Sequence, residues 1–303
     1  MQLAAARPAR RWRLDWRQRR ALAGFLFVLP TWLVWLGWTA LPALSNLVVS
    51  FSAWNLIQPP RLVGAANYLR LAEDPLFLLS LRNSLLYTLV FTPAGVVLAL
   101  AIAILINDTT RLREYYRVAY FLPVVTSVAA TSILWKWLYE PSYGLINWLL
   151  ALVGIAGPNW VNDSHTALLS IGIMDTWKGL GFTVVLFLAG LQTIPPTLYE
   201  AAEIDGASRL QRVWFVALPL LRPAALFVSV VSVAGAFQVF AQVFILTQGG
   251  PAYSSSVLAY YLYIMAFQRF QMGYAAALAI VIFLLVLVVT LLQLKVFRQS
   301  EAD

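Results

Sequence analysis

Runs free of Asp, Glu, Lys and Arg divide this chain into apolar stretches of membrane-spanning length. A transmembrane helix needs about 20 apolar residues, and an ionised side chain at its centre costs about 2.5–3.5 kcal/mol. Residues 21–60 carry no such charge, and the first half of the run is the more apolar. Residues 83–107 form a second run, and 118–135 a third, which extends through Lys136 to Tyr139. A fourth covers roughly 167–191, interrupted by Asp175 and Lys178. Residues 223–268 are too long for one span, with the apolar part at 223–246, and 270–294 complete the series. Residues 141–162 are also free of charge, but their apolar core, 145–156, is short and fits an interfacial or re-entrant segment. The pattern predicts an all-α polytopic membrane protein with six transmembrane helices.

Composition agrees. Hydrophobic residues make up 61% of the 303 and charged residues 11%, against roughly 45–50% and about 25% in soluble domains. A soluble enzyme, a nucleic-acid-binding domain and a disordered chain are excluded on that ground. There is no cysteine and one histidine, His165. Thiolate metal sites and disulfides are therefore impossible, and His165, in an outer segment, reads as a solvated residue.

The charges orient the spans. With six crossings, fifteen of the 21 basic residues fall on one face. They are Arg7, Arg10, Arg11, Arg13, Arg17, Arg19 and Arg20 before the first span, Arg111, Arg113 and Arg117 after the second, Arg209, Arg212 and Arg222 after the fourth, and Lys295 and Arg298 at the end. The positive-inside rule then places both termini in the cytoplasm. The Arg-rich start followed by a long apolar run reads as an uncleaved first helix. Trp32, Trp35, Trp38 and Trp54, with Trp135, Trp137, Trp148 and Trp160, fall near the outer ends, as aromatic belts do. The expected organisation is a basic tail over 1–20, a six-helix unit over 21–298 and a short terminus over 299–303.

The inner loop of about 192–222 is the most informative segment. Pro195-Pro196 stops one helix and starts another. Glu200, Glu203 and Asp205 follow, with the small residues Ala201, Ala202 and Ala207. Gly206 permits a sharp turn. Leu210, Val213, Trp214 and Ala217 then recur at helical spacing and predict one apolar face on the second arm. Read alone, this is either a helix-turn-helix that docks another surface or a solvated loop folded against the spans.

The stretch EAAEIDGASRLQRVWFVALP resembles the signature of binding-protein-dependent ABC importer permeases, with Glu200, Ala201, Ala202, Asp205, Gly206, Ala207, Leu218 and Pro219 in matching positions. GAANYLRLAEDPLFLLSLRNSLLY at 64–87, LTQGGP at 246–251 and YIMAFQRFQMGYAAA at 263–277 resemble the carbohydrate branch, which handles maltose and glycerol phosphate. The resemblance covers roughly 22–298. It implies the type I importer fold, an inner-membrane location and a coupling helix in the 192–222 loop that docks on an ATPase. Glu200 would pair with basic groups there, the alanines would allow close approach and Gly206 would make the turn. The implied partners are a dimeric ATPase, an extracytoplasmic substrate-binding protein and a second permease chain. That chain is commonly a different one, making a heterodimer, although a homodimer stays open. The chain itself holds no cofactor and no G-x-x-x-x-G-K-[ST] phosphate loop, so ATP would be bound by the partner.

Polar residues inside spans are the remaining candidates. Ser232, Gln238 and Gln242 in the fifth either meet cargo hydroxyls or bond across helices. Asp175 and Lys178, three apart on the fourth, read as a functional intramembrane pair or as an ion pair that neutralises itself. Trp177 beside them either stacks on a sugar ring or anchors at an interface. Lys136 and Glu140 have the spacing of a local ion pair. Asn83 and Gln271 read as interface anchors. The competing class is a secondary transporter driven by an ion gradient, for which only the Asp175 and Lys178 region qualifies.

Overall fold

The structure, a computed structural model, describes residues 15–107 and 113–299. Arg7, Arg10, Arg11, Arg13 and Arg111 of the basic clusters lie outside the described residues.

Among the described residues, four helices are long and apolar enough to cross a membrane by themselves, and two bent pairs, each taken as one span, bring the number to six. The first, α1 (Trp16–Ser50), starts five residues before the charge-free run because Asp15 caps it. The Asp15 carboxylate accepts the Trp16 N–H at 2.7 Å and the Asp15 N–H reaches the Gln18 Oε1 at 3.0 Å, a reciprocal capping box. A π-turn at Leu36–Ala40 interrupts it just before Pro42. Proline has no N–H and its ring crowds the carbonyl four residues back. Here the Leu41 N–H reaches back five residues to Leu36 instead.

After α1, the short antiparallel pair Ser52–Ala53 with Arg61–Leu62 and the helix α2 (Ala66–Glu73) cover one end of the bundle. Asn67 fastens them, donating to the Ser50 and Ser52 carbonyls at 2.8 and 3.0 Å. The long helix α3 (Pro75–Asn107) then runs to the opposite end.

The third crossing departs from the single span the hydropathy predicts. It is α4 (Arg113–Val125) and α5 (Val128–Leu138), bent by 113° at Thr126–Ser127. Pro123 sits two residues before the end of the first piece, and the break frees carbonyls that a membrane cannot hydrate. The 145–156 segment forms the short, exposed α6 (Leu145–Leu152), far below spanning length.

The most enclosed crossing is α7 (Ala167–Gln192). It packs along α3 and α4. Gly181 permits the second contact, since a Cβ there would stand 2.0 Å from the Tyr120 carbonyl oxygen.

The fifth crossing is also broken. After α8 (Pro196–Ile204), α9 (Arg209–Leu220) meets α10 (Arg222–Phe237) at 68°, and the chain breaks again at Gln238 before α11 (Ala241–Leu246). Phe240, Phe244, Tyr260 and Tyr263 pack ring on ring around this second break, with the closest centroids 5.1 Å apart. Residues Leu258–Tyr263 and Ile264–Gln268 form α12, and α13 (Met272–Gln299) crosses back along α1.

Two Asx-type residues hold the first end together. Asn83, expected as an interface anchor, is 5% exposed and donates to the carbonyls of Tyr253, Ser254 and Ser256 at 2.9–3.3 Å. It thereby moulds the loop after the LTQGGP stretch. Asp74 caps α3 through the Leu76 N–H at 2.9 Å and accepts the phenols of both Tyr261 and Tyr274.

Burial pushes the Asp74 carboxyl up, but the two phenols and the backbone N–H groups of Leu76 and Phe77 outweigh it and hold it below its ordinary value. A depressed folded-state value contributes stability above the unfolded pKa, and that contribution is lost as pH falls through the folded one. Acid unfolding monitored by tryptophan fluorescence should therefore show a loss of stability below about pH 4. Asp74→Asn should be less stable at pH 7 by about 1–2 kcal/mol and lack that loss. An unchanged acid profile in the variant would refute the assignment.

Candidate functional site: an exposed helical hairpin and a polar cavity in the bundle

The hairpin is specified locally. Pro196 opens α8 at its first turn. The helix ends because Gly206 takes φ +81°, a conformation that side chains other than glycine's adopt only at a cost. The Ala207 N–H then reaches the Ala202 carbonyl at 2.9 Å and the Gly206 N–H reaches the Glu203 carbonyl at 3.0 Å, the two bonds of a Schellman cap. Ser208 caps α9, with its N–H on the Gln211 Oε1 at 2.8 Å. Glu203 and Arg212 bridge the two arms at 2.9 Å.

No residue of α8 is buried. Glu200, Ala201, Asp205 and Gly206 are exposed, while Ala202 and Ala207 are half-buried at the turn. Leu218 is half-buried and Pro219 exposed. Ile204 is 87% exposed and Phe215 76%. The single apolar face expected of the second arm is not formed. A π-turn at Val213–Ala217, again two residues before a proline, rotates the register, so Ala217 is buried while Leu210 and Trp214 face outward. The hairpin sits at the end of the bundle where Ile106, Leu191, Ile194, Ala217 and Leu221 share one core.

A cavity of about 300 Å³ lies between α3, α7 and α10. Asp175, Ser232, Gln238 and Gln242 line it, together with Tyr87, Thr92, Thr176 and Thr183. Asp175 accepts the Tyr87 phenol at 2.7 Å and the Gln242 side-chain amide at 2.6 Å. Gln238 stands at the break after α10 and Gln242 in α11 just beyond it. Trp177 stands outside the cavity, 41% exposed, with its ring 5.5 Å from that of Trp135.

Asp175 and Lys178 do not form the expected ion pair. The Lys178 ammonium, 9% exposed, donates to the Pro123 and Thr126 carbonyls at 3.1 and 2.7 Å. Those carbonyls belong to the 113° break, and their demand for donors outcompetes a carboxylate already held by Tyr87 and Gln242. Lys136 likewise turns from Glu140 to the Ile245 carbonyl at 3.5 Å. His165 is exposed, as expected. Tyr87 and Thr126 are the participants that sequence reasoning missed. Neither sits in a charged or periodic context, and the partners of Tyr87 lie in other helices.

Six crossings, three of which enclose a cavity lined by polar side chains, with a helical hairpin displayed at one end, are the arrangement of a membrane transport permease. Residues 92–299 match the family described as binding-protein-dependent transport system inner membrane component. The chain is 32% identical to the trehalose/maltose transport system permease protein MalF of Thermococcus litoralis, over 93% of this chain and 96% of that one. It is 35% identical to the lactose transport system permease protein LacF of Rhizobium radiobacter, over 92% and 95%. A bacterial ABC transporter involved in the import of the acidic polysaccharide alginate shares its fold at a TM-score of 0.82 and 23% identity, with 93% of this chain covered and 96% of that one. The chain belongs to the family of binding-protein-dependent transport system inner membrane components.

Proposed function

We propose that this chain is the non-catalytic permease subunit of an ATP-driven importer of sugars or related polyols, and that it forms half of the translocation path. Sugar-transport relatives along nearly the whole length support the cargo class. An ATPase dimer grips the hairpin, an external binding protein delivers cargo to the opposite end, and a second permease chain closes the path. Both termini and the hairpin face the cytoplasm, a reading supported by the concentration of basic residues in those segments of the sequence.

The observation that carries the reading is the exposed hairpin itself. Glu200 is exposed and makes no ion pair among the described residues, so it is free to meet a basic partner. The Schellman turn and the Glu203–Arg212 bridge join the two arms. The second arm continues through one bend into α10, whose far end carries Gln238 into the cavity wall. A displacement of the hairpin by a closing ATPase is therefore carried along α10 to the cavity. The energy enters as the differential affinity of ATP for the two states of the partner.

The chain has no cysteine, so Ala201→Cys provides a unique attachment point. A maleimide–benzophenone at that position in the assembled complex should photo-crosslink to the nucleotide-hydrolysing subunit. Labelling should occur only after the membrane is opened. Labelling of intact cells by a membrane-impermeant maleimide, or the absence of that adduct, would overturn the reading.

A further inference from the structure

The chemistry of the cavity is uneven in charge. Among the described residues that line it there is one carboxylate, Asp175, and no lysine, arginine or histidine. The other polar groups are neutral: the amides of Gln238 and Gln242 and the hydroxyls of Ser232, Thr92, Thr176 and Thr183. The Lys178 ammonium, one helical turn from Asp175, does not line the cavity and donates instead to the carbonyls of Pro123 and Thr126. Both oxygens of Asp175 accept hydrogen bonds, and both donors, the Tyr87 phenol and the Gln242 amide, are neutral groups. Each oxygen keeps a lone pair for a cargo hydroxyl, and the rings of Phe91 and Phe182 in the same wall offer apolar surface to the C–H side of a sugar.

We infer that this cavity admits neutral sugars and rejects anionic ones, uronates and sugar phosphates alike, and that Asp175 is the discriminating charge. The inference rests on the reading of the cavity as a cargo path and narrows its substrate class. A second negative charge about 6 Å from the first, at an effective dielectric of about 20, is disfavoured roughly 100-fold. The fold does not impose this choice, since a transporter of the same architecture is involved in the import of an acidic polysaccharide. The selectivity lies in side chains that the fold leaves free to vary.

The test uses the complete complex in nanodiscs, with the second permease chain and the ATPase but without the binding protein, whose own selectivity would mask the cavity's. Equilibrium dialysis compares trehalose, maltose and lactose with the C6-uronate of each. At least one neutral disaccharide should bind, and its uronate should bind about 100-fold more weakly. Asp175→Asn should shrink that ratio to below about tenfold. Because Asp175 also holds Tyr87 and Gln242, a second variant is needed. Gln238→Lys, at an exposed position of the wall, should shrink the ratio in the same direction by placing an ammonium in the cavity. Uronates binding the wild type as tightly as the neutral sugars would overturn the charge assignment and leave the sugar path standing. So would a ratio unchanged in both variants. Binding of no sugar at all would overturn the sugar path and this inference with it.

Discussion

Gly206→Pro should abolish the response of ATP hydrolysis to cargo in the assembled complex, by at least about tenfold, while the chain still inserts into the membrane. Two constraints meet at this residue. Its φ of +81° is inaccessible to proline, whose ring fixes φ near −65°. Its N–H also donates to the Glu203 carbonyl, and proline has none to donate. The turn would open, the Glu203–Arg212 bridge would part, and the hairpin would no longer carry motion as a unit. Gly206→Ala provides the graded control. A Cβ at Gly206 meets nothing within 4 Å, so alanine suffers only the left-handed backbone, at about 1–2 kcal/mol. It should reduce coupling partially. Cargo-stimulated ATPase activity and the amount of chain in the membrane are the two measurements. Wild-type stimulation in the proline variant would remove the hairpin from the mechanism.

The second large effect is expected at Lys178. Replacing it with methionine keeps the length of the side chain but removes both donors to the broken span. Pro123 retains the Thr126 hydroxyl at 2.6 Å, whereas the Thr126 carbonyl loses its ammonium partner at 2.7 Å. A carbonyl left unpaired away from water costs about 1–3 kcal/mol, and bilayer hydrocarbon offers no water to repair it. The folded chain should lose about 2–3 kcal/mol, visible as a lowered Tm and as faster proteolysis near residues 123–131. Lys178→Arg, which keeps the donors, should recover most of the loss. If methionine left both measurements unchanged, the 113° bend would not depend on this ammonium.

The hydropathy pattern by itself determined the long crossings. The charge-free run at 83–107 falls inside α3, and all but the first two residues of the run at 270–294 fall inside α13, because membrane insertion responds to summed apolar character along a short window. The hairpin was legible for a similar reason. Pro196, Gly206 and Ser208 act on their own neighbours, so helix start, turn and second start are local events. The two broken spans were not legible. Pro123 and Gln238 sit in runs whose hydropathy is that of an ordinary helix, and hydropathy carries no information about where a helix bends. Partner choice was hidden for the same reason. Asp175 meets Tyr87 and Gln242, which are 88 and 67 positions away, and Lys178 meets Thr126 from 52 positions away. Spacing along one helix suggested that Asp175 and Lys178 would pair with each other. Only tertiary packing decided otherwise, because a carboxylate and an ammonium inside a bundle go to the donors and carbonyls that the neighbouring helices leave unpaired.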